Sequence, residues 1–255
     1  TIEACVRSIL AQRYQALEVV VVDDGSRDAT PRILQRLAAE DDRLIILRQP
    51  NAGVSAARNA AIERAHGDYI QFCDSDDEVP PGATLALVTA AETRRCQLVV
   101  GPFYEVMPES CKLRGYLKSD MVLPRDGLLE QLSRHPNSFY WGVLWNKLYR
   151  RDIIIRQAIR CDGFLPWGED FAFNMCYMAY AEHTAIVSDP VYRYTRSMSG
   201  LAMSTARHCL VRPFFSIRVK LVLHRYYADL FRAAGLYDAY RKRLPAYLFK
   251  VTINN

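Results

Sequence analysis

Two short acidic stretches, each directly after a run that predicts a buried β-strand, constrain this chain more than any other feature. The runs are residues 18–22 and 69–73, followed by Asp23 and Asp24 in the first case and by Asp74, Asp76 and Asp77 in the second. Open α/β sheets bind nucleotides at the carboxyl ends of their strands. The sequence therefore predicts a ligand site at one edge of a sheet.

Strand and helix patterns alternate over the first hundred residues. Helices are predicted over residues 2–12, 30–40, 54–65 and 80–95, and strands over residues 18–22, 44–47, 69–73 and 97–100. Thr30 and Pro31 suit the N-cap and first position of the second helix, and Gly67 follows the third. Because such alternation produces a parallel sheet with helices on its faces, the sequence predicts an α/β fold.

The pattern is looser after residue 101. It predicts loops or short antiparallel strands over residues 105–123, a helix over 126–133, an aromatic-rich stretch over 139–149, a helix over 169–181, a strand over 184–187 and a mostly helical tail from 206. We therefore divide the chain into residues 1–101, which hold the acidic stretches, residues 102–205, and a tail of residues 206–255.

Composition and charge narrow the class of protein. With 255 residues, half of them hydrophobic, the chain can bury a large core, which excludes intrinsic disorder. No apolar run approaches the roughly 18 residues that cross a bilayer, and the first residues do not resemble a signal peptide. The seven cysteines are scattered and lack a Cys-x-x-Cys pair, so we expect reduced thiols in a cytoplasmic protein.

The tail is basic, whereas the rest of the chain is slightly acidic. Residues 196–255 hold 11 Lys or Arg and 2 Asp or Glu, and residues 1–195 hold 22 and 26. A basic tail can contact nucleic acid, anionic lipid or an acidic partner, and it can equally be a solvated helical surface.

The acidic stretches have a chemical use at a strand end. A carboxylate there is partly desolvated, so its ionised form destabilises the fold unless it binds a cation or accepts hydrogen bonds. Asp24 could accept from a base or ribose, and Asp74 with Asp76 could hold a divalent cation. Mg²⁺ is commonly held by one or two carboxylates together with substrate phosphates. One acidic turn would be ordinary loop chemistry, but two on successive strands favour a functional site.

A longer ordered set of residues connects these stretches. It comprises Gln12, Tyr14, residues 17–26, Asp28, Asn51, Gly53, Ser55, residues 57–59, Ala65, residues 67–70, Phe72, residues 74–77, residues 145–149 and residues 168–170. In this order the set resembles the family 2 glycosyltransferases with the GT-A fold, among them bacterial members that build capsular, exopolysaccharide or lipopolysaccharide chains. The resemblance covers about residues 1–200. It implies a Rossmann-like, mostly parallel sheet flanked by helices, followed here by the helical tail.

The resemblance implies a UDP-sugar donor and a metal-dependent site. Asp24 would contact the uracil, with Asp23 and Arg58 nearby in the nucleotide pocket. Asp76 would ligate Mg²⁺ or Mn²⁺ on the donor diphosphate, and Asp74 would support it directly or through water or ribose. The cation would offset the negative charge that develops on the departing UDP.

The resemblance also implies transfer to a hydroxyl of a glycan or lipid-linked acceptor. An inverting transfer needs a base for the acceptor proton, and the matching positions favour Asp170, with Glu169 as the alternative base or an acceptor contact. Two acids also suit a helix start for structural reasons alone, because they interact favourably with its dipole. Inversion predicts a β-linked product from a UDP-α-sugar.

Other side chains could contact a sugar or a phosphate. Trp141, Trp145 and Trp167 could stack on a sugar ring, although such residues more often belong to the core. Lys147 and Arg193 could bind phosphate or acceptor, although a solvated surface role is commoner. Residues 192–194 with Ser199 resemble a family loop that can fold over the donor.

We expect no nucleic acid among the partners of such an enzyme. Contact of the basic tail with a membrane surface and association as a homodimer stay open. The expected location is cytoplasmic, with the inner face of the cell membrane as an alternative.

One element of the family pattern has no counterpart here. The family normally begins with an apolar strand that ends in a Pro-x-Tyr-Asn type turn, and residues 1–22 contain none, so we expect the first strand to be missing. A truncated or degenerate domain acting as a non-catalytic binding or assembly module is therefore the alternative. A haloacid-dehalogenase-like phosphatase is disfavoured because Gly25 stands where a second Asp is needed. A nucleotidyltransferase is disfavoured because no glycine-rich basic loop follows the first predicted strand.

Overall fold

The computed structural model describes residues 1–117, 119–196 and 213–249. Their helices are α1 (Ile2–Leu10), α2 (Thr30–Glu40), α3 (Val54–Arg64), α4 (Ala83–Thr93), α5 (Arg125–Arg134), α6 (Phe139–Gly142), α7 (Arg151–Arg156), α8 (Glu169–Met178), α9 (Pro213–Ala233), α10 (Tyr237–Tyr240) and α11 (Ala246–Phe249). Their strands are β1 (Val19–Asp24), β2 (Leu44–Gln49), β3 (Tyr69–Gln71), β4 (Leu98–Val100), β5 (Phe103–Met107), β6 (Ser110–Arg114), β7 (Met121–Pro124), β8 (Lys147–Arg150), β9 (His183–Ile186) and β10 (Tyr192–Thr195). Every element predicted within residues 1–101 is present, with ends shifted by three residues or fewer.

Local chemistry explains how β1 ends and α2 begins. Gly25 follows β1 with φ of +77°, and a Cβ there would lie 2.8 Å from the backbone nitrogen of Asn51. Only glycine suits both the left-handed backbone and this close approach. Ala29 caps α2 in place of the predicted Thr30, and the Thr30 amide donates to the Asp28 carboxylate at 2.9 Å. The turn after β1 is therefore held against the loop that follows β2.

The strands form three sheets with mixed directions. β1 pairs with β2 in parallel, a five-stranded sheet has the order β3-β8-β4-β9-β7, and a three-stranded sheet has the order β10-β5-β6. The α/β class is confirmed, but four of the seven strand pairs are antiparallel. Two of these four pairs involve β8, which lies antiparallel between β3 and β4. Sequence patterns did not predict β8, because the strand is short, begins at charged Lys147 directly after polar Asn146 and ends at charged Arg150.

A gap separates β1 from β3. Residues of both strands and of α1 line one continuous cleft, and the Glu18 carboxylate bridges the gap at one end by accepting from the amides of His66 and Gly67. The Val19 amide donates to Arg43 at 2.8 Å on the β2 side, so the backbone groups of Val20 point the other way, into the gap. The missing first strand stays a prediction, and this gap is its predicted place.

The described part of the tail, residues 213–249, packs on the rest of the described chain. On α9, Leu223 and Tyr227 are at most 1 % exposed and belong to the same core cluster as Phe173 of α8. Burial of such side chains stabilises a fold by about 1.5–3 kcal/mol each. The described part of the tail is therefore integral to the core that supports α8. No helix within the described ranges has both the length and the apolar character needed to cross a membrane.

Candidate active site

A cleft of about 1940 Å³ opens at the carboxyl ends of β1 and β3 and continues into the gap between these strands. Five of the predicted site residues line it: Arg58, Asp74, Asp76, Glu169 and Asp170. Asp23 and Asp24 lie beside it, directly after Val22, which is a lining residue. The fold thus brings together residues from positions 23 to 170 of the sequence.

Asp24 organises the loop that leads into α3. Its Oδ1 accepts from the Ala52 amide and from Gln49 Nε2, each at 2.8 Å, and its Oδ2 accepts from the Gly53 amide at 2.8 Å. Burial raises the pKa of this carboxyl, but the three hydrogen bonds outweigh burial and hold the pKa below its usual range. Since a carboxylate offers about four lone-pair sites, one is left for a ligand. The predicted contact with uracil stays a prediction.

Asp23 is more deeply buried than Asp24. Its side chain is 2 % exposed, and Oδ1 accepts from the Ser26 amide at 2.9 Å. Oδ2 is buried without a hydrogen bond, 3.5 Å from Arg48 Nε in an ion pair. Because a buried oxygen without a hydrogen bond is unfavourable, a hydrogen bond from a ligand to this oxygen would stabilise the site.

The second acidic stretch is a tight turn held from β10. Asp77 is 1 % exposed, and it accepts from the Tyr192 hydroxyl at 2.9 Å and from the Thr195 amide at 2.7 Å. The same Tyr192 oxygen accepts from the Asp74 amide at 2.9 Å. Burial raises the pKa of Asp77 to about 7. The two hydrogen bonds lower this pKa, and the negative charges of Asp74 and Asp76 raise it. Asp77 therefore shapes the turn, while Asp76 is exposed toward solvent.

The donor set at this turn fits a divalent cation of the predicted kind. Asp74 and Asp76 supply carboxylate oxygens from one turn at the rim of the cleft. No group of three or more His, Cys, Asp or Glu side chains that could hold a metal ion occurs among the described residues. A pair of carboxylates is the set expected where substrate phosphates complete the coordination of Mg²⁺ or Mn²⁺.

Arg58 joins the two halves of the site. From α3, its Nη2 donates to Asp74 at 2.9 Å, and its Nη1 donates to Asp170 at 2.6 Å and to Glu169 at 3.0 Å. Burial lowers the pKa of this guanidinium, but the charges of Asp170, Asp74 and Glu169 outweigh burial and hold the pKa above its usual range. Arg58 is therefore charged, and it links the predicted base to the predicted metal turn.

Asp170 is a carboxylate in a poorly solvated place. Burial raises the pKa of Asp170 to about 7. The charge of Arg58 lowers this pKa, the charges of Glu169 and Asp74 raise it, and the hydrogen bond from the Leu144 amide lowers it. Oδ2 accepts from that amide at 3.3 Å. A carboxylate whose pKa lies near neutrality can take a proton and release it again under physiological conditions.

Gly168 sets the direction of α8 as the helix begins. Its φ is +83°, and a Cβ at this position would lie 2.5 Å from Leu223 Cδ1 of α9. Glycine therefore lets the first turn of α8, with Glu169 and Asp170, lie close to α9. The two acids lie at a helix start, as their position in the sequence predicts, and α9 packs against this start.

The sequence model of the family described as "Glycosyl transferase family 2" matches residues 1–156. This chain belongs to that family. The match includes both acidic stretches, Arg58 and β8, but it ends before Glu169 and Asp170. The family match thus covers the part of the site that holds the two acidic stretches, and the rest of the site is described by the structure.

Among its relatives, this family 2 chain is 33 % identical to "Uncharacterized glycosyltransferase EpsJ" of Bacillus subtilis over 78 % of the chain and 58 % of that protein. It is 38 % identical to "Glycosyltransferase GlyG" of Streptococcus pneumoniae over 79 % of the chain and 68 % of that protein. The chain thus spans little more than half the length of EpsJ.

Solved structures show the same fold. Staphylococcus aureus TarS, solved as residues 1–349 in complex with UDP-GlcNAc, superposes with a TM-score of 0.74 at 20 % identity. The superposition covers 96 % of this chain and 69 % of the TarS chain. At that identity the likeness establishes the fold, and the GT-A architecture implied by the sequence is confirmed.

The structure corrects one role considered for this family 2 chain and decides another. Lys147 cannot bind phosphate or acceptor, because it is fully buried and its Nζ donates to the backbone oxygens of Tyr140 and Val143. Trp141 and Trp145 are core residues at 1 % and 3 % exposure. Trp145 borders the cleft, but its ring is already stacked on Tyr192 and Tyr194, whereas Trp167 is partly buried and lines the cleft. Only Trp167 keeps the geometry for stacking on a ligand.

Two buried residues that contact the site had no clear signal in the sequence. Asn174 lies one helical turn after Asp170 and donates to its backbone oxygen at 2.9 Å, and the Leu144 amide reaches the Asp170 carboxylate. A polar Asn on an otherwise apolar helix face was the available clue for Asn174. Nothing in the sequence marks one backbone amide, because its direction depends on the folded loop.

Ser199, considered above as part of a loop over the donor, and Cys209, one of the seven cysteines, lie outside the described residues.

Proposed function

We propose that this chain is an inverting, metal-dependent glycosyltransferase. It transfers a sugar from a UDP-sugar to a hydroxyl of a glycan or lipid-linked acceptor in the synthesis of a cell-surface polysaccharide. One observation carries the proposal: Arg58 holds Asp170 on one side and Asp74 on the other, and both carboxylates line the same cleft.

Asp170 acts as the base in this proposal. The acceptor oxygen forms a bond to the anomeric carbon, its proton passes to Asp170, and the bond from that carbon to the β-phosphate oxygen breaks with its electron pair leaving on UDP. The pKa near 7 supports the role, because the carboxylate is both available and basic enough near neutrality. Glu169 shares Arg58 and remains the alternative base or an acceptor contact.

Asp76 and Asp74 are the proposed ligands of Mg²⁺ or Mn²⁺. A divalent cation at this turn would supply charge stabilisation for the departing diphosphate without a proton transfer. Asp77, Tyr192 and Thr195 keep the turn in shape, and Arg58 holds Oδ1 of Asp74, a residue that lines the cleft.

The donor class has independent support. TarS was solved with UDP and with UDP-GlcNAc, and its fold matches this chain over nearly its whole length. The acidic residues at the end of β1, where one buried Asp23 oxygen makes no hydrogen bond, suit a ligand with N–H or hydroxyl donors, as a uracil ribonucleoside has. The location is proposed to be cytoplasmic, where UDP-sugars are available.

Calorimetric titration with UDP, in Mn²⁺ and then in EDTA, tests the donor site. We expect metal-dependent binding that is lost in Asp76→Asn and retained in Asp42→Asn, a matched control at an exposed carboxylate outside the cleft. Binding unchanged in Asp76→Asn would remove Asp76 from the metal site. No binding by any form of the chain would favour the non-catalytic module.

A transfer assay with a panel of UDP-sugars and saccharide acceptors tests the chemistry. We expect Asp170→Asn to bind UDP as the unaltered chain does and to lose transfer by roughly 10²-fold or more. A product with the α-anomeric configuration from a UDP-α-sugar would contradict inversion.

A further inference from the structure

A buried polar network surrounds the segment 140–144, which comprises most of α6 and the first residues of the connection to the strand β8. The segment faces the site through the Leu144 amide, which donates to Asp170 Oδ2 at 3.3 Å. Its backbone oxygens point the other way, toward side chains that are fully buried. These side chains do not line the cleft, so they cannot contact a substrate.

Lys147 is the centre of this network. Its Nζ donates to three acceptors, the backbone oxygens of Tyr140 and Val143 at 3.0 and 2.6 Å and Oδ1 of Asn146 at 2.7 Å. Burial lowers the pKa of Lys147 well below its usual range, opposed by the charge of Asp170. Three acceptors match the three N–H groups of an ammonium, so the side chain ties both ends of α6 to β8.

Asn174 fixes the same segment from α8. Its Nδ2 donates to the backbone oxygens of Gly142, Val143 and Asp170, at 2.9, 3.1 and 2.9 Å. Its Oδ1 accepts from the Tyr149 hydroxyl at 2.8 Å. Because Asn174 contacts both the segment and Asp170 itself, it sets the distance between them.

We propose that Lys147 and Asn174 are positioning residues for Asp170: they fix the segment 140–144 so that the Leu144 amide aims at the Asp170 carboxylate. The proposal rests on the proposed function, in which Asp170 is the base. Arg58 holds one oxygen of Asp170 and Leu144 the other, so the plane of the carboxylate is determined from two sides. Displacement of the segment would remove one of these restraints and leave the binding of the donor unaffected.

The test combines Lys147→Met with Asp170→Asn in a double-mutant cycle, measured by kcat for transfer and by UDP affinity in Mn²⁺. We expect Lys147→Met to lower kcat by roughly 10-fold or more, because small misplacements of a catalytic group are costly, and to leave UDP affinity within about twofold. In the Asp170→Asn background, Lys147→Met should have no further effect, since residues that act through one group are not additive.

Each outcome bears on a different claim. An equal loss of kcat with and without Asp170 would overturn the positioning role and show a general structural effect, as would unchanged kcat in Lys147→Met. Normal transfer by Asp170→Asn would instead overturn the base, and the positioning role with it. Ser133→Ala is the matched control, because it removes a buried hydrogen bond in α5 away from the cleft and should leave kcat unchanged.

Tyr149→Phe covers the case in which Lys147→Met fails to fold. It removes only the hydroxyl that orients Asn174 and keeps the ring contacts with Phe72 and Phe173. We expect a roughly threefold loss of kcat that disappears in the Asp170→Asn background. Unchanged kcat in a folded Tyr149→Phe variant would then overturn the positioning role.

Discussion

Arg58 Nη1 lies 2.6 Å from Oδ1 of Asp170, and the same guanidinium reaches Asp74 from its other nitrogen. These residues are 112 and 16 positions from Arg58 in the sequence. The α3 helix, which begins after the loop organised by Asp24, therefore places a single cation between a candidate base and a candidate metal turn. The consequences of this arrangement are open to direct measurement.

Arg58→Gln should destabilise the chain more in alkaline than in acidic solution. Removal of the guanidinium raises the pKa of Asp170 further above its unfolded value of about 3.9, and a raised pKa means stability that is present at low pH and lost as pH rises. We expect a loss of about 3 kcal/mol near pH 8 and a smaller loss near pH 5, measured by urea unfolding at both values.

Arg36→Gln is the control for this comparison. Its side chain is 54 % exposed and forms surface ion pairs with Glu3 and Glu40, which are worth at most about 1 kcal/mol. Equal losses for Arg58→Gln at the two pH values would contradict the buried charge cluster.

The rate of transfer should rise with pH through about 7. A base must be deprotonated, and Asp170 has a pKa of about 7 because it is buried, so kcat should be low in acid and reach a plateau above neutrality. The pH profile of kcat measures this, and the acidic limb should persist in Glu169→Gln. Loss of the limb in Glu169→Gln would assign the proton to Glu169 instead.

Gly168→Ala should destabilise the chain by about 2–3 kcal/mol, because it combines an unfavourable backbone conformation with overpacking. The new Cβ would meet Leu223 at 2.5 Å on a backbone with φ of +83°. Thermal unfolding measures the loss. Gly163→Ala is the matched control in the same loop, since its backbone is not left-handed and a Cβ there has nothing within 4 Å. Equal melting temperatures for the two variants would contradict the close approach of α9 to α8.

Amide hydrogen exchange should detect the gap beside β1. The Val21 amide points to β2, as Val19 does, whereas the amides of Val20 and Val22 point into the gap. We therefore expect Val20 and Val22 to exchange faster than Val21 in the chain of 255 residues. Equal protection of all three amides would mean that another segment occupies the gap.

Sequence patterns were most informative where structure depends on neighbours in the chain. Helical spacing, caps and stop signals located α1 to α4, and short continuous apolar runs located β1 to β4, because these signals lie within each segment of the chain. The order of acidic and glycine residues predicted the family, which is now shown, and the residues that line the cleft. The strand β8 was missed because Asn146, directly before it, and Lys147, its first residue, are polar residues typical of loops, although both are buried here.

By itself, the sequence determined the α/β class, the family and the two acidic strand ends, since these depend on residue type and spacing along the chain. Only the tertiary structure decided that Arg58 joins Asp74 to Asp170, that Lys147 is a buried support for the segment 140–144, and that β8 lies antiparallel beside β3. The physical reason is that a charge or amide acquires its role from the groups that desolvate and pair with it. In this site those groups come from distant positions in the chain.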